Sequence, residues 1–452
     1  MGGTSIIVLA AGKGTRMKSA LPKVLHKAAG RTLVAHVLHA AKALRPEKSV
    51  VICGPDMDAV AAEAASVFPD CSVAIQAERH GTAHAVSMAR DILSGFAGTT
   101  LILYGDVPLI SAETLTALAN PVTPDVGLAV LGFDAADPKG YGRLLRAPSG
   151  HVVAIREELD ASPEERKITL CNSGIIAISN KLLWQLLPAI GNNNAKGEYY
   201  LTDLIEIAAK AGYRCGLAIC PEAEVAGVND RTQLAAIEAT LQDRYRRWHM
   251  LGGATLVSPG TVFFSADTQV GQDVVIEPHV VFGPGVTIGD GAEILAFSHL
   301  EGATVGSGAR IGPYARLRPG AEIGETAHIG NFVEVKKAVI GKGAKANHLT
   351  YIGDAKVGPR TNIGAGTITC NYDGFEKHLT DIGADVFVGS NTALVAPVSI
   401  GDGASIGAGS VITRDVPPDA LAVARGELTM RDGWAARYRS MKQAKKAAKS
   451  KS

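Results

Sequence analysis

The sequence predicts an α/β fold made of a Rossmann-like domain, a long linker helix and a left-handed parallel β-helix of hexapeptide repeats. Three observations carry this prediction. Short β-branched runs alternate with helical patterns up to about residue 230, which is typical of a parallel sheet covered by helices. Apolar residues then recur every three or four positions over 231–251, and every six positions after residue 252. Glycine divides the chain in the same way, because 21 of the 51 glycines lie in the first 250 residues and 30 in the remaining 202.

Composition and charge limit the classes of protein to consider. The 452 residues carry 45 basic and 44 acidic side chains, so a net charge of +1 argues against a nucleic-acid partner. The apolar run at 5–11 has no basic residues before it, and no run approaches the roughly 18 apolar residues of a membrane span. The six cysteines form no CxxC pair. We therefore expect a soluble cytoplasmic protein with no membrane or nucleic-acid partner.

The first domain is predicted to span residues 1–230. Its β-branched runs predict buried strands at 6–10, 49–53, 72–76, 100–106 and 126–133. Helical patterns between them predict helices at 33–44, 59–67 and 82–93. This order predicts a mostly parallel sheet with helices on its faces.

The linker helix is predicted at 231–251, where an apolar stripe appears at helical spacing. Its members are Leu234, Ile237, Leu241, Tyr245 and Trp248. The β-helix is predicted at 252–430, where aliphatic anchors recur every six residues and glycine often follows to turn a corner. The anchors are Val270, Ile276, Phe282, Ile288, Ile294, Leu300, Val305, Ile311, Leu317, Ile323, Ile329, Val335, Ile340, Ala346, Ile352, Val357, Ile363, Ile382, Val388, Leu394, Ile400, Ile406 and Ile412.

Two segments depart from the six-residue pattern. Between 364 and 381 the hexads lapse, and polar residues fill the interval, which predicts a loop that leaves the β-helix. Residues 431–452 form a lysine-rich tail that is predicted to be disordered at its end, because it has little apolar surface to bury. We expect functional residues near the loop rather than in the tail.

The turn after the first strand has the character of a phosphate-binding loop. Gly12 and Gly14 let the backbone approach an anion at the start of a helix. Because Met17 stands where the dinucleotide motif has its third glycine, that motif does not match, and neither does the Walker A pattern. Arg16 and Lys23 follow closely and supply two cations that suit a triphosphate.

Tyr104, Gly105 and Asp106 end another predicted strand, at the edge of a parallel sheet where such folds bind ligands. An aspartate in this place is often only a turn residue. Beside a phosphate-binding turn it becomes a candidate Mg²⁺ ligand, because Mg²⁺ takes one or two protein oxygens together with phosphates. Asn229 is a candidate for the second oxygen ligand.

In the second half, polar residues gather on neighbouring predicted coils around His348. This histidine lies two residues past the anchor Ala346 and is therefore predicted to face solvent or another subunit. A lone surface histidine often has no function, but imidazole is the usual general base near neutral pH. Glu334 lies on a neighbouring coil and is predicted to orient the imidazole. Four further side chains have the chemistry to grip a sugar phosphate: Arg318, Lys336, Tyr351 and Asn362.

These motifs together resemble a known family. The string LAAGKGTRM with the following PK is similar to the signature of sugar-phosphate nucleotidyltransferases. The whole set resembles the bifunctional enzymes that make UDP-N-acetylglucosamine, a precursor of bacterial cell wall and lipopolysaccharide, over about residues 5–430. The motifs that complete the resemblance are YGDVPLI, GYGR at 140–143, NSG at 172–174, NNNAKGEYYLTD at 192–203 and GVN at 227–229.

For the first half, the resemblance implies transfer of a uridylyl group from UTP to N-acetylglucosamine 1-phosphate with release of pyrophosphate. It implies that Asp106 and Asn229 bind Mg²⁺ and that Arg16 and Lys23 hold phosphates. The implied readers of uracil and ribose are Leu9, Ala10, Ala11, Gly12, Gln76, Gly81 and Thr82. Tyr104 and Gly105 border the same site, and the sugar side is implied to be held by Gly142, Glu157, Asn172 and Asn229.

For the second half, the resemblance implies acetyl transfer from acetyl-CoA to glucosamine 1-phosphate, with His348 as the general base. It also implies a homotrimer, whose subunits share the pocket. The implied sugar-phosphate residues are Arg318, Lys336, Tyr351, Asn362, Asn371 and Tyr372, and the implied acetyl-CoA residues are Ala365, Ser390, Ala408 and Arg425.

Two alternatives remain open from the residues. The first is a nucleotidyltransferase for another sugar that has this one activity, in which the β-helix serves only to form a trimer. The second is a regulatory subunit that keeps both folds without catalysis. Lys23, Asp106 and His348 argue against the second alternative, because each is a group that the implied chemistry needs.

Overall fold

The computed structural model describes residues 3–194 and 196–449, which divide into two compact units. The first unit runs to Trp248 and also includes Phe263–Ala266. The second comprises His249–Val262 and the chain from Asp267 onwards. The division falls inside the helix Arg231–Leu251, whose bounds match the predicted linker helix.

The first unit alternates strands with helices, as the sequence predicts. Its strands are β1 (Gly3–Leu9), β2 (Lys27–Ala28), β3 (Arg31–Thr32), β4 (Lys48–Cys53), β5 (Ser72–Ile75), β6 (Gly98–Tyr104), β7 (Leu128–Asp134), β8 (Gly142–Arg146), β9 (Val152–Arg156), β10 (Leu170–Ser179) and β11 (Cys215–Ile219). Its helices are α1 (Leu33–Lys42), α2 (Asp58–Val67), α3 (Thr82–Ser87), α4 (Arg90–Leu93), α5 (Ala112–Ala119), α6 (Asn180–Leu186), α7 (Asp203–Lys210) and α8 (Arg231–Leu251).

One mixed sheet forms the centre of this unit, in the order β5-β4-β1-β6-β10-β7-β11-β9-β8. Strand β1 is parallel to both neighbours, with Leu9 opposite Ile52 on one side and Tyr104 on the other. The carboxyl ends of β1 and β6 therefore lie side by side. Apolar clusters cover both faces of the sheet, one with Val8 and Leu103 and the other with Ile7 and Ile102. This register places the phosphate-type turn next to Asp106.

The sheet is less parallel than the alternation predicts. Strand β10 runs antiparallel to both β6 and β7, and β8 pairs antiparallel with β9. The predicted helix at 82–93 is also two short helices, α3 and α4. The amides of Met88 and Ala89 bond to carbonyls three residues back, which tightens the chain between the two helices.

The second unit is a solenoid of short strands with parallel pairing between successive coils. They are β12 (Thr255–Leu256), β13 (Gln269–Val270), β14 (Val275–Ile276), β15 (Val281–Phe282), β16 (Thr287–Ile288), β17 (Glu293–Ile294), β18 (His299–Leu300), β19 (Ala303–Val305), β20 (Arg310–Ile311), β21 (Arg316–Leu317), β22 (Ala321–Ile323), β23 (His328–Asn331), β24 (Glu334–Ile340), β25 (Lys345–His348), β26 (Tyr351–Val357), β27 (Asn362–Ile363), β28 (Ile368–Cys370), β29 (Thr380–Ile382), β30 (Phe387–Val388), β31 (Ala393–Val395), β32 (Val398–Ile400), β33 (Ser405–Ile406), β34 (Val411–Ile412) and β35 (Leu421–Ala422).

The predicted anchors form the interior of this solenoid. Val270, at the first predicted anchor position, is half-buried, and the anchors from Ile276 to Ile412 are buried. Register partners such as Asn331 and His348 lie 17 residues apart, whereas Arg316 and Glu334 lie 18 apart. Corner residues such as Phe332 and Leu349 adopt positive φ, because the chain turns sharply there. The six-residue pattern thus predicts the core of this unit correctly.

The loop is shorter than the sequence predicts. Strand β28 keeps the hexad register beyond residue 364, and Thr369 fills the interior position six residues after Ile363. Its hydroxyl accepts a hydrogen bond from the Gly353 N–H at 2.8 Å and donates one to the Gly353 carbonyl at 3.0 Å. These two bonds make a polar anchor tolerable inside the core. The chain leaves the solenoid only at 371–379.

The tail also differs from its prediction. A helix, α9 (Trp434–Lys449), occupies most of it, and the side chains from Trp434 to Ala448 are exposed. Alanine and lysine have high helix propensity, which favours a helix here although little surface is buried. The end of the predicted disordered segment, 450–452, lies outside the described residues. Among the described helices, none combines the length and apolar character that a bilayer crossing demands.

Candidate active sites

The turn after β1 brings the predicted phosphate-binding residues to the edge of the first sheet. Gly14 has φ +61°, and a Cβ there would lie 2.5 Å from Cβ of Lys23. Glycine at this position therefore makes room for the lysine side chain. The motif had suggested instead that it makes room for the ligand itself. Gly12 has open space around it, as an approaching ligand would need.

Two cations and two oxygen ligands meet beside this turn. The Lys23 ammonium donates to Oδ2 of Asp106 and, at 3.4 Å, to Oδ1 of Asn229. Arg16 Nη2 donates to the same Asn229 oxygen at 2.8 Å. The lysine and aspartate side chains are only 13% and 19% exposed. Sequence reasoning chose all four residues, and the structure brings them together.

This arrangement fits a magnesium site with few protein ligands. The Asp106 and Asn229 oxygens both point towards one cation, the Lys23 ammonium. Two oxygens that converge in this way could also converge on a metal ion. Within the described chain, no group of three or more His, Cys, Asp or Glu residues is placed to hold a metal. Two hard oxygens with phosphates and water as further ligands suit Mg²⁺.

A pocket extends from these charges towards the predicted base-reading residues. Its wall is formed by Leu9, Ala10, Ala11, Gly12, Lys23, Val24, Gln76, Arg79, Gly81, Thr82, Ala85, Tyr104, Asp106 and Glu198. Gly81 has φ +112°, and a Cβ there would lie 2.5 Å from the Tyr199 carbonyl oxygen. The Thr82 hydroxyl accepts a hydrogen bond from the Leu201 N–H at 3.0 Å. Burial raises the pKa of the Tyr104 phenol.

The predicted sugar-side residues gather around Tyr104 and β8. Gly142 and Asn172 are register partners on β8 and β10, and Glu157 Oε1 would lie 3.4 Å from a Cβ at Gly142. Glu157 accepts a hydrogen bond from Thr202 at 3.2 Å, and burial raises its pKa. Gly174 packs on the Tyr104 ring, which fixes the turn after Asn172.

Sequence reasoning missed four residues of this pocket, of which two are charged, Arg79 and Glu198. Arg79 Nε donates to the Ala11 carbonyl at 2.7 Å and so ties the β1 turn to the segment after β5. Both residues lie inside motifs that the sequence analysis singled out, between Gln76 and Gly81 and within 192–203. Their charge, inside motifs already singled out, could have identified them as candidate pocket residues.

In the second unit, His348 ends β25 and is exposed. Its Nδ1 lies 2.8 Å from Oδ1 of Asn331, its register partner on β23. The amide oxygen only accepts, so Nδ1 carries the proton and Nε2 keeps a free lone pair. The His348 carbonyl accepts a hydrogen bond from Thr350 at 2.7 Å, which holds the corner that follows. The ring is therefore fixed in the tautomer that a general base needs.

Glu334 does not orient His348, contrary to the sequence prediction. Its Oε1 accepts a hydrogen bond from Arg318 at 2.7 Å, and its Oε2 lies 3.9 Å from Arg316. The register explains this pairing, because Glu334 stands opposite Arg316 on β21 and Tyr351 on β26. Sequence reasoning missed Asn331, which takes the role that was assigned to Glu334.

Three cations, Arg318, Lys336 and Lys377, lie close to one another on the second unit. The pKa of Lys336 is lowered chiefly by the positive charge of Lys377 and then by Arg318. Lys377 lies 3.9 Å from Asp354, which also accepts from the Asn371 amide. These cations repel one another, so a bound anion would lower their electrostatic energy. Sequence reasoning predicted Arg318, Lys336 and Asn371 but missed Lys377, which lies on the 371–379 loop.

The predicted acetyl-CoA residues form one column along the solenoid. The Asn391 N–H bonds to the Ala365 carbonyl, and the Gly409 N–H bonds to the Ser390 carbonyl, so the two coils stack there. Arg425 Nη1 donates to the Ala408 carbonyl at 3.0 Å. Ala365, Ser390 and Ala408 all have small side chains, and Arg425 contacts the last of them.

Two predicted residues lie apart from the others. Asn362 begins β27 opposite Lys345, rather than opposite His348. Tyr372 is exposed on the loop, where its hydroxyl donates to the Gly374 carbonyl at 2.6 Å and its ring lies 5.7 Å from the Lys377 ammonium. Among the described residues, no hydrogen bond or ring contact joins either side chain to His348.

The arrangement at Asn331 and His348 makes a testable prediction. Replacing Asn331 with aspartate places a negative charge beside the imidazole, which favours the protonated ring. Since a base must be unprotonated, the acid limb of the pH profile of acetyl transfer should move to higher pH, by about one unit or more. Asn331→Ala should lower the rate without that upward shift. A profile that is the same in the wild type and in the aspartate variant would contradict the contact.

Known proteins resemble the chain over both units. Residues 6–183 match the MobA-like NTP transferase domain, and residues 267–302, 302–337 and 380–414 match the bacterial transferase hexapeptide (six repeats). A "Bifunctional protein GlmU" of Paramagnetospirillum magneticum is 56% identical over 98% of each chain. Proteins of the same name from Azorhizobium caulinodans and Nitrobacter hamburgensis are also 56% identical, over 96% of this chain and 97% and 96% of theirs.

Proposed function

The chain belongs to the family of bifunctional GlmU proteins, and we propose which of its residues carry out each half of the synthesis. It is an enzyme of UDP-N-acetylglucosamine synthesis with an acetyltransferase and a uridylyltransferase activity. The observation that best supports two activities, rather than one enzyme on an inert scaffold, is His348 fixed by Asn331 on a solenoid that also carries a cluster of cations.

In the second unit, we assign His348 as the general base for acetyl transfer. The amine of glucosamine 1-phosphate attacks the thioester carbonyl of acetyl-CoA, and Nε2 of His348 removes the amine proton as the C–N bond forms. The tetrahedral intermediate then expels the CoA sulfur as thiolate, which breaks the C–S bond. Arg318, Lys336 and Lys377 neutralise the sugar phosphate, because their mutual repulsion is relieved by an anion.

The acetyl donor is proposed to lie along the column of small residues. Ala365, Ser390 and Ala408 follow His348 on successive coils, so the thioester end is placed near the base and the remainder extends towards Arg425. The arginine supplies a positive charge for the phosphates of CoA. Tyr351, Asn362, Asn371 and Tyr372 are proposed to border the sugar, with Asn362 and Tyr372 supplied by a neighbouring subunit.

In the first unit, a phosphate oxygen of N-acetylglucosamine 1-phosphate attacks the α-phosphorus of UTP, and pyrophosphate leaves. Arg16 and Lys23 hold the phosphates, and the backbone at Leu9–Gly12 with Gln76, Gly81 and Thr82 receives the base and ribose. Gly142, Glu157 and Asn172 hold the sugar. Asp106 and Asn229 would hold Mg²⁺, which when bound neutralises charge on the triphosphate. Positioning of the substrates and neutralisation of their charge are enough to catalyse this transfer, so no protein nucleophile is needed.

A homotrimer is proposed from an exposed apolar edge of the solenoid. His279, Phe297, Tyr314 and Phe332 stack ring on ring along one corner, with centroids about 5 Å apart. Leu349, which is 63% exposed, follows on the next coil and is adjacent to His348. A continuous exposed apolar edge usually marks an interface. Contact between three copies at this edge would bring residues of a neighbour to the acetyl-transfer site.

The purified chain should therefore show both activities and sediment as a trimer. Acetyl-CoA with glucosamine 1-phosphate should release free thiol, and UTP with N-acetylglucosamine 1-phosphate and Mg²⁺ should release pyrophosphate. Folded protein that released pyrophosphate but no thiol would support the single-activity alternative. Analytical ultracentrifugation that showed only a monomer at assay concentration would refute the trimer.

A further inference from the structure

We infer that His84 is a positioning residue that fixes the side-chain amide of Gln76 and so lets the nucleotide site select uracil over cytosine. The inference rests on the proposed uridylyl-transfer site, in which Gln76 meets the base. It adds a residue to which neither the motifs nor the pocket lining assigns a role.

The geometry around Gln76 is tightly determined. The residue directly follows β5, and its backbone N–H donates to the Cys53 carbonyl at 2.8 Å. Its side chain is 4% exposed and lies in the pocket wall. The Nε2 atom donates to the Gly81 carbonyl at 3.2 Å and lies 3.2 Å from Nδ1 of His84. Both N–H bonds of the amide group are thereby taken.

Those two contacts decide which end of the amide is free. Because the amide has two N–H donors on one side and one oxygen on the other, pairing both donors leaves Oε1 for a ligand. His84 must then present Nδ1 as an acceptor, with the ring proton on Nε2. The ring is held on α3 next to His80, with centroids 5.2 Å apart. His80 in turn pairs with Glu78 at 2.7 Å.

The free oxygen matches one base and not the other. Uracil carries an N3–H donor on its pairing edge, which an oxygen acceptor satisfies. Cytosine carries an unprotonated N3 at the same position, so two acceptors would face each other across the contact. A site with a buried polar group rejects the analogue that leaves the group unpaired. An amide free to rotate would accept either base, since it can present its NH₂ group to cytosine instead.

The test compares UTP with CTP in two variants of His84. His84→Phe keeps a ring but removes the acceptor, so the ratio of kcat/KM for UTP to that for CTP should fall by about three- to tenfold. His84→Asn can place its amide oxygen where Nδ1 was, so it should keep most of the ratio of the wild type. The thermal unfolding transition of each variant, compared with that of the wild type, reports whether the first unit is folded.

The possible outcomes separate this inference from the proposed function. If the wild type does not turn over UTP, the proposed uridylyl transfer fails first. If the wild type prefers UTP and the phenylalanine variant keeps that preference, His84 does not set the amide and the inference is wrong. An equal loss with UTP and CTP, or an asparagine variant that matches the phenylalanine variant, would overturn it as well.

Discussion

Replacing His348 with alanine should lower acetyl transfer by about 10²- to 10⁴-fold, which is the usual contribution of a general base. The imidazole is exposed at the end of β25, so its removal leaves the buried anchors of the solenoid unchanged. Pyrophosphate release in the first unit should stay close to the wild-type rate. The measurement is thiol release and pyrophosphate release on the same preparation.

A matched control is His299→Ala. His299 is also an exposed histidine on a solenoid strand, but it lies opposite Val281 and Arg316 rather than beside Asn331. It should keep acetyl transfer near the wild-type rate. Residual acetyl transfer in His348→Ala at more than about a tenth of the wild-type rate would show that another group, or solvent, removes the amine proton.

Replacing Asp106 with alanine should have the reverse effect. It removes a proposed oxygen ligand for Mg²⁺ and leaves the Lys23 ammonium without its carboxylate partner in a largely buried position. Loss of one preorganised charged group at such a site costs about 10²- to 10³-fold in rate. Pyrophosphate release should fall by that factor, whereas thiol release should not change.

Asp91→Ala is the control for this experiment, since Asp91 is exposed on α4 of the same unit. Titration with Mg²⁺ sharpens the comparison, because a lost metal ligand should raise the Mg²⁺ concentration needed for half-maximal rate. An Asp106→Ala enzyme with the Mg²⁺ dependence of the wild type would show that Asp106 serves only to hold Lys23. Loss of thiol release in the same variant would mean that the two units do not act independently.

Much of the second unit could be predicted because its repeat is strict. The six-residue spacing alone identifies the anchors from Ile276 to Ile412 as interior positions, whichever coil packs against them. Thr369 departs from the pattern, because a polar residue is not recognised as an anchor in the sequence. It is tolerated in the interior because its hydroxyl forms hydrogen bonds with Gly353. The loop was therefore predicted too long at its start.

Contacts between coils were harder to predict than the coils themselves. Whether Asn331 or Glu334 faces His348 depends on a register in which some coils take 17 residues and others 18. The sequence shows that the period slips but not which side chains the slip aligns. Sequence reasoning placed the imidazole correctly on the exposed surface and chose the wrong partner for it.

In the first unit, the site could be predicted more fully than the sheet. Arg16, Lys23, Asp106 and Asn229 meet because β1 and β6 are adjacent and parallel, and strand ends of that kind share one edge. The antiparallel β10 was not predicted, because a buried antiparallel strand and a buried parallel strand have the same apolar run. Arg79 was missed because its role is to bind a backbone carbonyl.

The number of coils between His348 and Arg425 fixes the distance between these two residues along the solenoid. Neighbouring strands in a sheet stand about 4.8 Å apart, so the four steps from His348 through Ala365, Ser390 and Ala408 to Arg425 measure roughly 19 Å. The spacing of backbone hydrogen bonds sets that length, and no single side chain is able to change it. For the acetyl donor proposed to lie along this column, the distance between the acetyl group and the charged end of its carrier is thus set in whole coils, and only the gain or loss of a coil would alter it.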